Sequence, residues 1–560
     1  MIGEWIEIRE IFKLLDSSQE RTIGHSTIFV VAKPDDHLYY LESFTQIICT
    51  EYPCRYVLLK EEPTSTTEFL KAKLNFLETA RGSGRFCEFI EIEFTPGQKE
   101  RLATSLSKFT IPKLDVFLVL WQRELEHKPI FDALKNIATR IIFDSEYALD
   151  PNTVLDLMEL VPPRSTIGDL SYTRAYSIRE ILVKELTTPQ LAPLAATFHT
   201  LKIQHNPCFA RCTDIPIQSL YLGEWLAMWA KMTPIFKTKI GPITKIIYDY
   251  ASIIIEQGEA VKELGEGKIL QLELIADEST FLLQRDTNHP DRIFTAINGK
   301  DSCSMPASFS TEDLNIGQSL MRQLQYDQTN QLQLEALRQI CHAPYKKLLK
   351  YPSVTEAMQH VKERILFLAR QAIQMRGVFR IALSGGTTPM ALYRSFQPDE
   401  LDWSKVQFFF SDERQVPPES VDSNYKNATE ALAHLHLDPN NIHRMVGEKE
   451  PDSNAYAYER LILPYLDLSL FGMGIDGHTL SLFPGSKALE VTDRLVVAAS
   501  GPNHERLTFT LKALDIIKTK IFLVFGEEKK ETLSKVFSEK TPDHPASLVL
   551  NADFYTDLDI

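Results

Sequence analysis

Asp476 and His478 stand two residues apart in Gly-Met-Gly-Ile-Asp-Gly-His-Thr-Leu-Ser-Leu-Phe-Pro-Gly, residues 472–485. A carboxylate beside an imidazole can move protons near neutral pH, where imidazole changes charge without help. The preceding run, Leu468 to Phe471, is apolar and stops at closely spaced glycines. Only glycine-rich backbone makes so sharp a turn. The pair is therefore expected at the C-terminal end of a central strand, the place where open α/β sheets bind ligands.

Groups that could receive an anion lie on both sides of this turn in the chain. Ser384-Gly385-Gly386-Thr387-Thr388-Pro389 follows one strand and opens a helix, Met390–Phe396, with Thr388 placed as N-cap and Pro389 as the first helical residue. The amides of such a loop form an anion seat, although a plain strand–helix connection has the same composition. Ser411-Asp412-Glu413-Arg414 ends another strand and precedes Asp422-Ser423-Asn424-Tyr425. Arg506 begins a strand and Lys529 begins a helix after one. Taken singly, Asp412 to Arg414 read as a solvated loop and each cation as a surface residue.

The elements that must carry these residues are legible from about residue 350. Ser353-Val354-Thr355-Glu356 has the form of a capping box. Met358, Val361, Ile365, Leu368 and Ala372 then mark one helix face, and Gly377 is a natural stop. Strands recur at Val378–Leu383, Val406–Ser411, Leu468–Phe471, Leu495–Ala499 and Ile521–Phe525. That alternation predicts a doubly wound, mostly parallel α/β sheet over residues 346–560. The first third alternates in the same way, with strands at Thr27–Ala32, Arg55–Lys60, Val116–Trp121 and Arg140–Phe143 and helices at Asp36–Cys49 and Pro129–Thr139. Cys87–Phe94 alternates apolar residues with Glu91 and Glu93, which predicts a half-exposed edge strand. Pro162-Pro163 separates an α/β domain, 1–160, from a mixed α+β domain, 161–320, with an apolar helix at Leu220–Trp229 and strands at Lys268–Leu274 and Thr280–Gln284. Residues 321–345 are rich in glutamine (Gln323, Gln325, Gln328, Gln331, Gln333, Gln339) and read as a polar connecting helix or linker outside any core.

Composition narrows the function classes. A chain of 560 residues accommodates about three domains. A net charge of -15 argues against nucleic-acid binding, yet permits a small phosphorylated substrate held by a local cluster of cations. Seven scattered cysteines fit a reducing compartment. Cys208 and Cys212 lack the further ligands of a zinc site, and no cluster has the makings of a metal site. The N-terminus is acidic and amphipathic, unlike a signal peptide, and no stretch reaches the ~20 apolar residues that span a bilayer. The expectation is a cytoplasmic protein.

Taken in order, Gly-Gly-Thr-Thr-Pro, Asp-Glu-Arg, Ser-Asn-Tyr, Gly-Met-Gly-x-Asp-Gly-His-Thr, Ser-Leu-Phe-Pro-Gly, Arg-Leu-Thr-Phe-Thr, Gly-x-x-Lys and His544-Pro545-Ala546-Ser547 resemble the 6-phosphogluconolactonase family across about residues 350–555. Thr387 stands where serine is commoner and Leu480 where alanine is. The related isomerase/deaminase group, typified by glucosamine-6-phosphate deaminase, shares the Gly-Gly loop and the Asp-Gly-His turn. Asp412-Glu413-Arg414 and Thr479–Phe483 resemble the lactonases instead. The resemblance implies hydrolysis of 6-phospho-D-glucono-1,5-lactone in the oxidative pentose phosphate pathway, without cofactor or metal. It implies His478 as general base and then acid, with Asp412 or Asp476 orienting the imidazole or the substrate hydroxyls. Arg414, Arg506 and Lys529, with Asn424 and the amides of Gly385, Gly386 and Thr387, would hold the phosphate and the developing carbonyl charge.

Residues 1–320 hold no comparable cluster. Ser26–Val31, Tyr52–Val57, Asp115–Trp121, Ile142–Ser145, Gly168–Arg174, Ser177–Leu182 and Leu222–Leu226 resemble, in order, the glucose-6-phosphate dehydrogenase assembly-protein (OpcA) family. That resemblance implies that this half binds and activates the dehydrogenase. A sugar-phosphate-binding regulatory domain is the alternative, and a non-catalytic scaffold is the alternative for the whole chain. Gly168–Arg174 reads as a loop forming either a fold-stabilising corner or a binding surface, the corner being preferred, with Trp121 and Trp225 as core aromatics. No cysteine lies in an evidently basic setting that would make it reactive.

Overall fold

The computed structural model describes residues 3–560 except 18–25, 33–37, 63–64, 66, 80–85, 121–127, 147–150, 190, 208–215, 263, 300–305, 312–315, 326–330 and 449. Trp121, Cys208, Cys212, Cys303 and Gln328 thus lie outside the described residues, as does the start of the helix expected from Asp36. Backbone contacts divide the chain into two units, Met1–Ile235 with Lys245–Ala343 and Phe236–Thr244 with Pro344–Ile560.

In the first unit the β-branched and aromatic runs of residues 1–170 build an eight-stranded sheet. Phe86–Phe94, Arg55–Glu61, Ser26–Ala32, Asp115–Leu120, Arg140–Phe143 and Thr166–Asp169 lie side by side in that order, all parallel. The edge assignment of Cys87–Phe94 is corrected, because Leu70–Glu78 pairs antiparallel with its other side. Its alternation imitates a solvent face because Glu91 and Glu93 pair with Lys60 and Lys71 of the neighbouring strands. Cross-strand pairs of opposite charge stabilise that face.

Gly168–Arg174 is not a loop. Asp169 ends a strand and caps the helix Leu170–Arg174 by accepting from the Ser171 amide. Arg174 then grips the buried Asp144 with both terminal nitrogens, at 2.8 and 2.5 Å. Breaking a buried pair strands a charge. Arg174→Ala is therefore expected to destabilise this unit by about 3–5 kcal/mol, read as an earlier midpoint in urea unfolding.

The linker reading of 321–345 is corrected as well. Ile316–Gln325 and Gln331–His342 are helices, and Leu320, Leu324, Leu334, Leu337 and Ile340 are buried. The glutamines are absorbed as partners: Gln323 accepts from Arg140 at 2.6 Å and donates to Thr173 at 2.6 Å. The helix Ile217–Trp229 is buried almost all round. Ile217 and Tyr221 join the core of the eight-stranded sheet, while Leu222 and Leu226 join a second core. That second core lies on Thr200–His205 and Ser252–Gln257, which pair in parallel, and on an antiparallel run through Ile269–Ile275, Ser279–Arg285, Arg292–Gly299 and Ala307–Ser310. No helix among the described residues is long and apolar enough to cross a membrane.

In the second unit the strands are β1 (Tyr345–Lys350), β2 (Phe379–Leu383), β3 (Val406–Phe410), β4 (Asp412–Arg414), β5 (Leu466–Gly472), β6 (Val496–Ser500), β7 (Glu505–Phe509), β8 (Ile517–Leu523) and β9 (Ala552–Thr556). Among them run α1 (Val354–Arg376), α2 (Thr387–Ser395), α3 (Asn424–Ala431), α4 (Pro451–Ile462) and α5 (Lys530–Ser538). The predicted caps of α1 are in place. Ser353 accepts from the Glu356 amide at 3.2 Å, and Gly377 closes the helix at φ 80°. Residues 237–240 and β1, β9, β8, β5, β2 and β3 form one parallel array in that order.

From β2 the chain moves outward to β3, then returns past β2 to β5 and continues outward through β8 and β9. The order reverses between β2 and β5, and the crevice outside their C-terminal ends is the expected ligand position of such a sheet. Leu495–Ala499, expected in this sheet, instead belongs to a separate antiparallel one of order β4-β7-β6. The helix α2 begins at Thr387 with Gly386 as its cap at φ 104°, two residues earlier than Thr388 would allow.

Candidate active site

Every group singled out for chemistry in the second unit is carried by a strand end or a helix start around that crevice. The loop 384–387 leaves β2, the turn 473–478 leaves β5, and β4 prolongs the chain just after β3. The register of the small sheet sets Asp412 opposite Thr508 and Arg414 opposite Arg506. Two guanidinium groups far apart in sequence thereby become neighbours. Lys529 stands at the start of α5, after β8. Together they enclose a cavity of about 250 Å³ lined by Gly385, Gly386, Thr387, Asp412, Arg414, Asn424, His478, Arg506 and Lys529 among others.

Asp476 is not on the cavity wall but stands behind the imidazole. Its Oδ1 lies 2.5 Å from His478 Nδ1 and accepts from the His478 amide at 3.1 Å. Burial alone would raise its carboxyl, but these hydrogen bonds outweigh that and hold it below the usual carboxylate range. With Nδ1 engaged, Nε2 is the nitrogen left for a substrate. The turn needs its glycines. Gly477 has φ 81°, and a side chain there would meet His544 at 2.9 Å. A Cβ at Gly474 would lie 2.2 Å from both Cε1 and Nδ1 of His478. Gly474→Ala must push the ring aside, and a displacement near 1 Å costs about 100-fold in rate. The expected result is that loss in kcat with little change in melting temperature.

Asp412 does not touch the imidazole. Its Oδ2 accepts from Ser481 Oγ at 2.7 Å, its Oδ1 from Asn424 Nδ2 at 3.1 Å, and Arg506 Nη1 lies 3.9 Å from Oδ2. Of the two aspartates left open by sequence, Asp476 is the one bonded to His478, while Asp412 is a nearly buried acceptor in the cavity wall. Two of the cations are partly desolvated. Burial lowers the Arg506 and Lys529 pKa values, the neighbouring Asp412 and Glu528 opposing it respectively. Arg414 donates to the Asp422 carbonyl at 2.6 Å. Four buried atoms around the cavity lack a hydrogen-bond partner: Arg414 Nε, Arg506 Nε, Asn424 Oδ1 and Ser384 Oγ. Buried polar atoms are rarely left so, and an anionic, hydroxylated ligand would satisfy such a set.

Two positioning residues went unnoticed in the sequence. Glu413 faces away from the cavity. It accepts from the amides of Arg414, Asn424 and Tyr425 and from Ser423 Oγ, and so fastens β4 to the start of α3. Burial raises its pKa in spite of those bonds. Its one signal is the neighbouring Ser423, whose hydroxyl caps α3 by accepting from the Lys426 amide at 3.2 Å. Ser481 bonds Asp412 through its hydroxyl and Thr508 through its amide, at 3.1 Å. It links the histidine turn to β4 and β7, and its one signal in the sequence is its place at the head of Ser-Leu-Phe-Pro-Gly. No group of His, Cys, Asp and Glu among the described residues could hold a metal ion.

Residues 352–557 match the family model described as glucosamine-6-phosphate isomerases/6-phosphogluconolactonase, and residues 45–159 match that of the glucose-6-phosphate dehydrogenase subunit N-terminal domain. A 6-phosphogluconolactonase of Nostoc sp. is 36% identical over 204 residues, which span 34% of this chain and 85% of that protein. One of Synechocystis sp. is 37% identical over 193 residues, 32% of this chain and 80% of that protein. One of Chlamydia pneumoniae is 41% identical over 179 residues, 30% of this chain and 69% of that protein.

Proposed function

The chain belongs to the 6-phosphogluconolactonase family, and we propose that its site hydrolyses 6-phospho-D-glucono-1,5-lactone to 6-phosphogluconate with His478 as the proton carrier. A δ-lactone is an activated ester, so the demands are modest. Water must lose a proton as it attacks the carbonyl carbon, and the ring oxygen must gain one as it leaves. His478 Nε2 takes the first proton and returns it to the leaving oxygen. Asp476 fixes the tautomer through Nδ1 and stabilises the imidazolium between the two steps. Arg414, Arg506 and Lys529, with Asn424 and the amides at Gly385, Gly386 and Thr387, grip the phosphate and the negative charge on the carbonyl oxygen. Arginine suits the phosphate because its planar fork binds two oxygens at once.

The single observation carrying this assignment is the Asp476–His478 bond at 2.5 Å beside a cavity that also contains all three cations. Purified chain should open freshly generated 6-phosphogluconolactone far faster than buffer does, read as acid release at constant pH. A rate equal to buffer would refute it.

The N-terminal match supports a second role. Residues 1–160 and 161–320 would bind glucose-6-phosphate dehydrogenase, and 346–560 would hydrolyse the lactone that this enzyme makes. Tethering raises the effective concentration of one enzyme near the other. The full chain, immobilised, is expected to retain the dehydrogenase; passage of the dehydrogenase without retention would remove this half of the proposal.

A further inference from the structure

The His478 imidazole is confined on three sides. Asp476 holds Nδ1 at 2.5 Å. The missing side chain at Gly474 lets the Cε1 edge lie close against the turn. The Phe483 ring covers one face, with centroids 4.6 Å apart and planes tilted by 36°. One hydrogen bond alone leaves a histidine ring free to rock, since its outer torsion has a broad well. A face contact removes that freedom. The same Phe483 ring has the guanidinium carbon of Arg506 5.8 Å from its centroid, within cation–π range. Phe483 is itself held in place, because Ser481, two residues earlier, is bonded to Asp412 and Thr508.

We propose that Phe483 is a positioning residue that serves the base and the anion grip together. It fixes the imidazole plane so that Nε2 stays on the cavity, and it seats the Arg506 guanidinium over its ring. This rests on His478 being the base, so His478→Ala belongs in the same experiment. In the full chain, with freshly generated 6-phosphogluconolactone, Phe483→Leu is expected to lower kcat at least about tenfold and to raise KM severalfold. Phe483→Tyr keeps the ring and is expected to stay within about threefold of the parent in both constants. The His478 ring-proton resonances, shielded by the Phe483 ring, should move in Phe483→Leu and hold in Phe483→Tyr. A purely structural phenylalanine would lower the melting temperature and leave those resonances and both constants in place, which overturns the proposal. Equal losses in the leucine and tyrosine variants overturn it too. Should the leucine variant fail to fold, Phe483→Met meets the same criteria. A fully active His478→Ala would dispose of the base itself, however Phe483→Leu behaves.

Discussion

Replacing His478 with alanine is expected to lower enzymatic lactone opening by about 10²–10⁴-fold, with the fold intact. The magnitude follows from what the imidazole is asked to do. General acid–base catalysis is the term removed, while the cations and the loop amides still gather substrate. The variant should therefore keep its KM within a small factor and lose kcat. The imidazole is one-third exposed at the cavity, so its loss leaves no large void, and thermal unfolding should be nearly unchanged. Asp476→Asn is the informative companion. An amide can satisfy Nδ1–H through its oxygen, but it cannot stabilise the imidazolium. Its loss should be smaller than that of His478→Ala and should again appear in kcat. A His478→Ala protein that turns over lactone at the parent rate would require another proton carrier. His544 would be the first to test, since its Nδ1 lies 3.4 Å from the Asp476 carbonyl oxygen.

Much of this site could be read from the chain because the backbone demanded particular residues. A turn that needs φ 81° at residue 477 and no side chain at 474 advertises itself as closely spaced glycines. The reversal of strand order between β2 and β5 was implicit in the α/β alternation. What sequence could not supply was pairing across distance. Asp412 to Arg414 looks like solvent-facing loop because three residues carry no period, and only pairing with β7 brings Arg414 beside Arg506. The choice between Asp412 and Asp476 was equally closed to sequence, since it turns on Ser481 and Asn424 occupying both oxygens of Asp412. In the first unit, Glu91 and Glu93 imitated a wet face because their lysine partners lie on other strands. The glutamine-rich helices imitated a linker because polarity was counted without partners. Leu480 is held at φ 57°, a conformation disfavoured for its type, and no local feature of the sequence announces it.

The second large effect is expected at Arg506, and it should appear in KM. Its side chain is nearly buried, its Nε has no partner, and the carboxylate paired with it on the cavity wall is Asp412 at 3.9 Å. Asp412 is already held by Ser481 and Asn424, so little of the guanidinium's hydrogen-bonding capacity is used without substrate. A charge-assisted bond to phosphate contributes about 1.5–3 kcal/mol, which converts to about 10- to 150-fold in affinity. Arg506→Ala should therefore raise KM for the phosphorylated lactone by that factor. The KM of unphosphorylated glucono-δ-lactone should hardly change, because that lactone lacks the phosphate. Arg506→Lys restores charge but not the fork and should recover only part of the loss. The variant leaves Phe483 without its cation and Asp412 without its counter-ion, so kcat should also fall modestly. If phosphorylated and unphosphorylated lactones lose equally, Arg506 is holding the sugar or the carbonyl charge instead, and the phosphate must then be bound by Arg414, Lys529 and the amides at the start of α2.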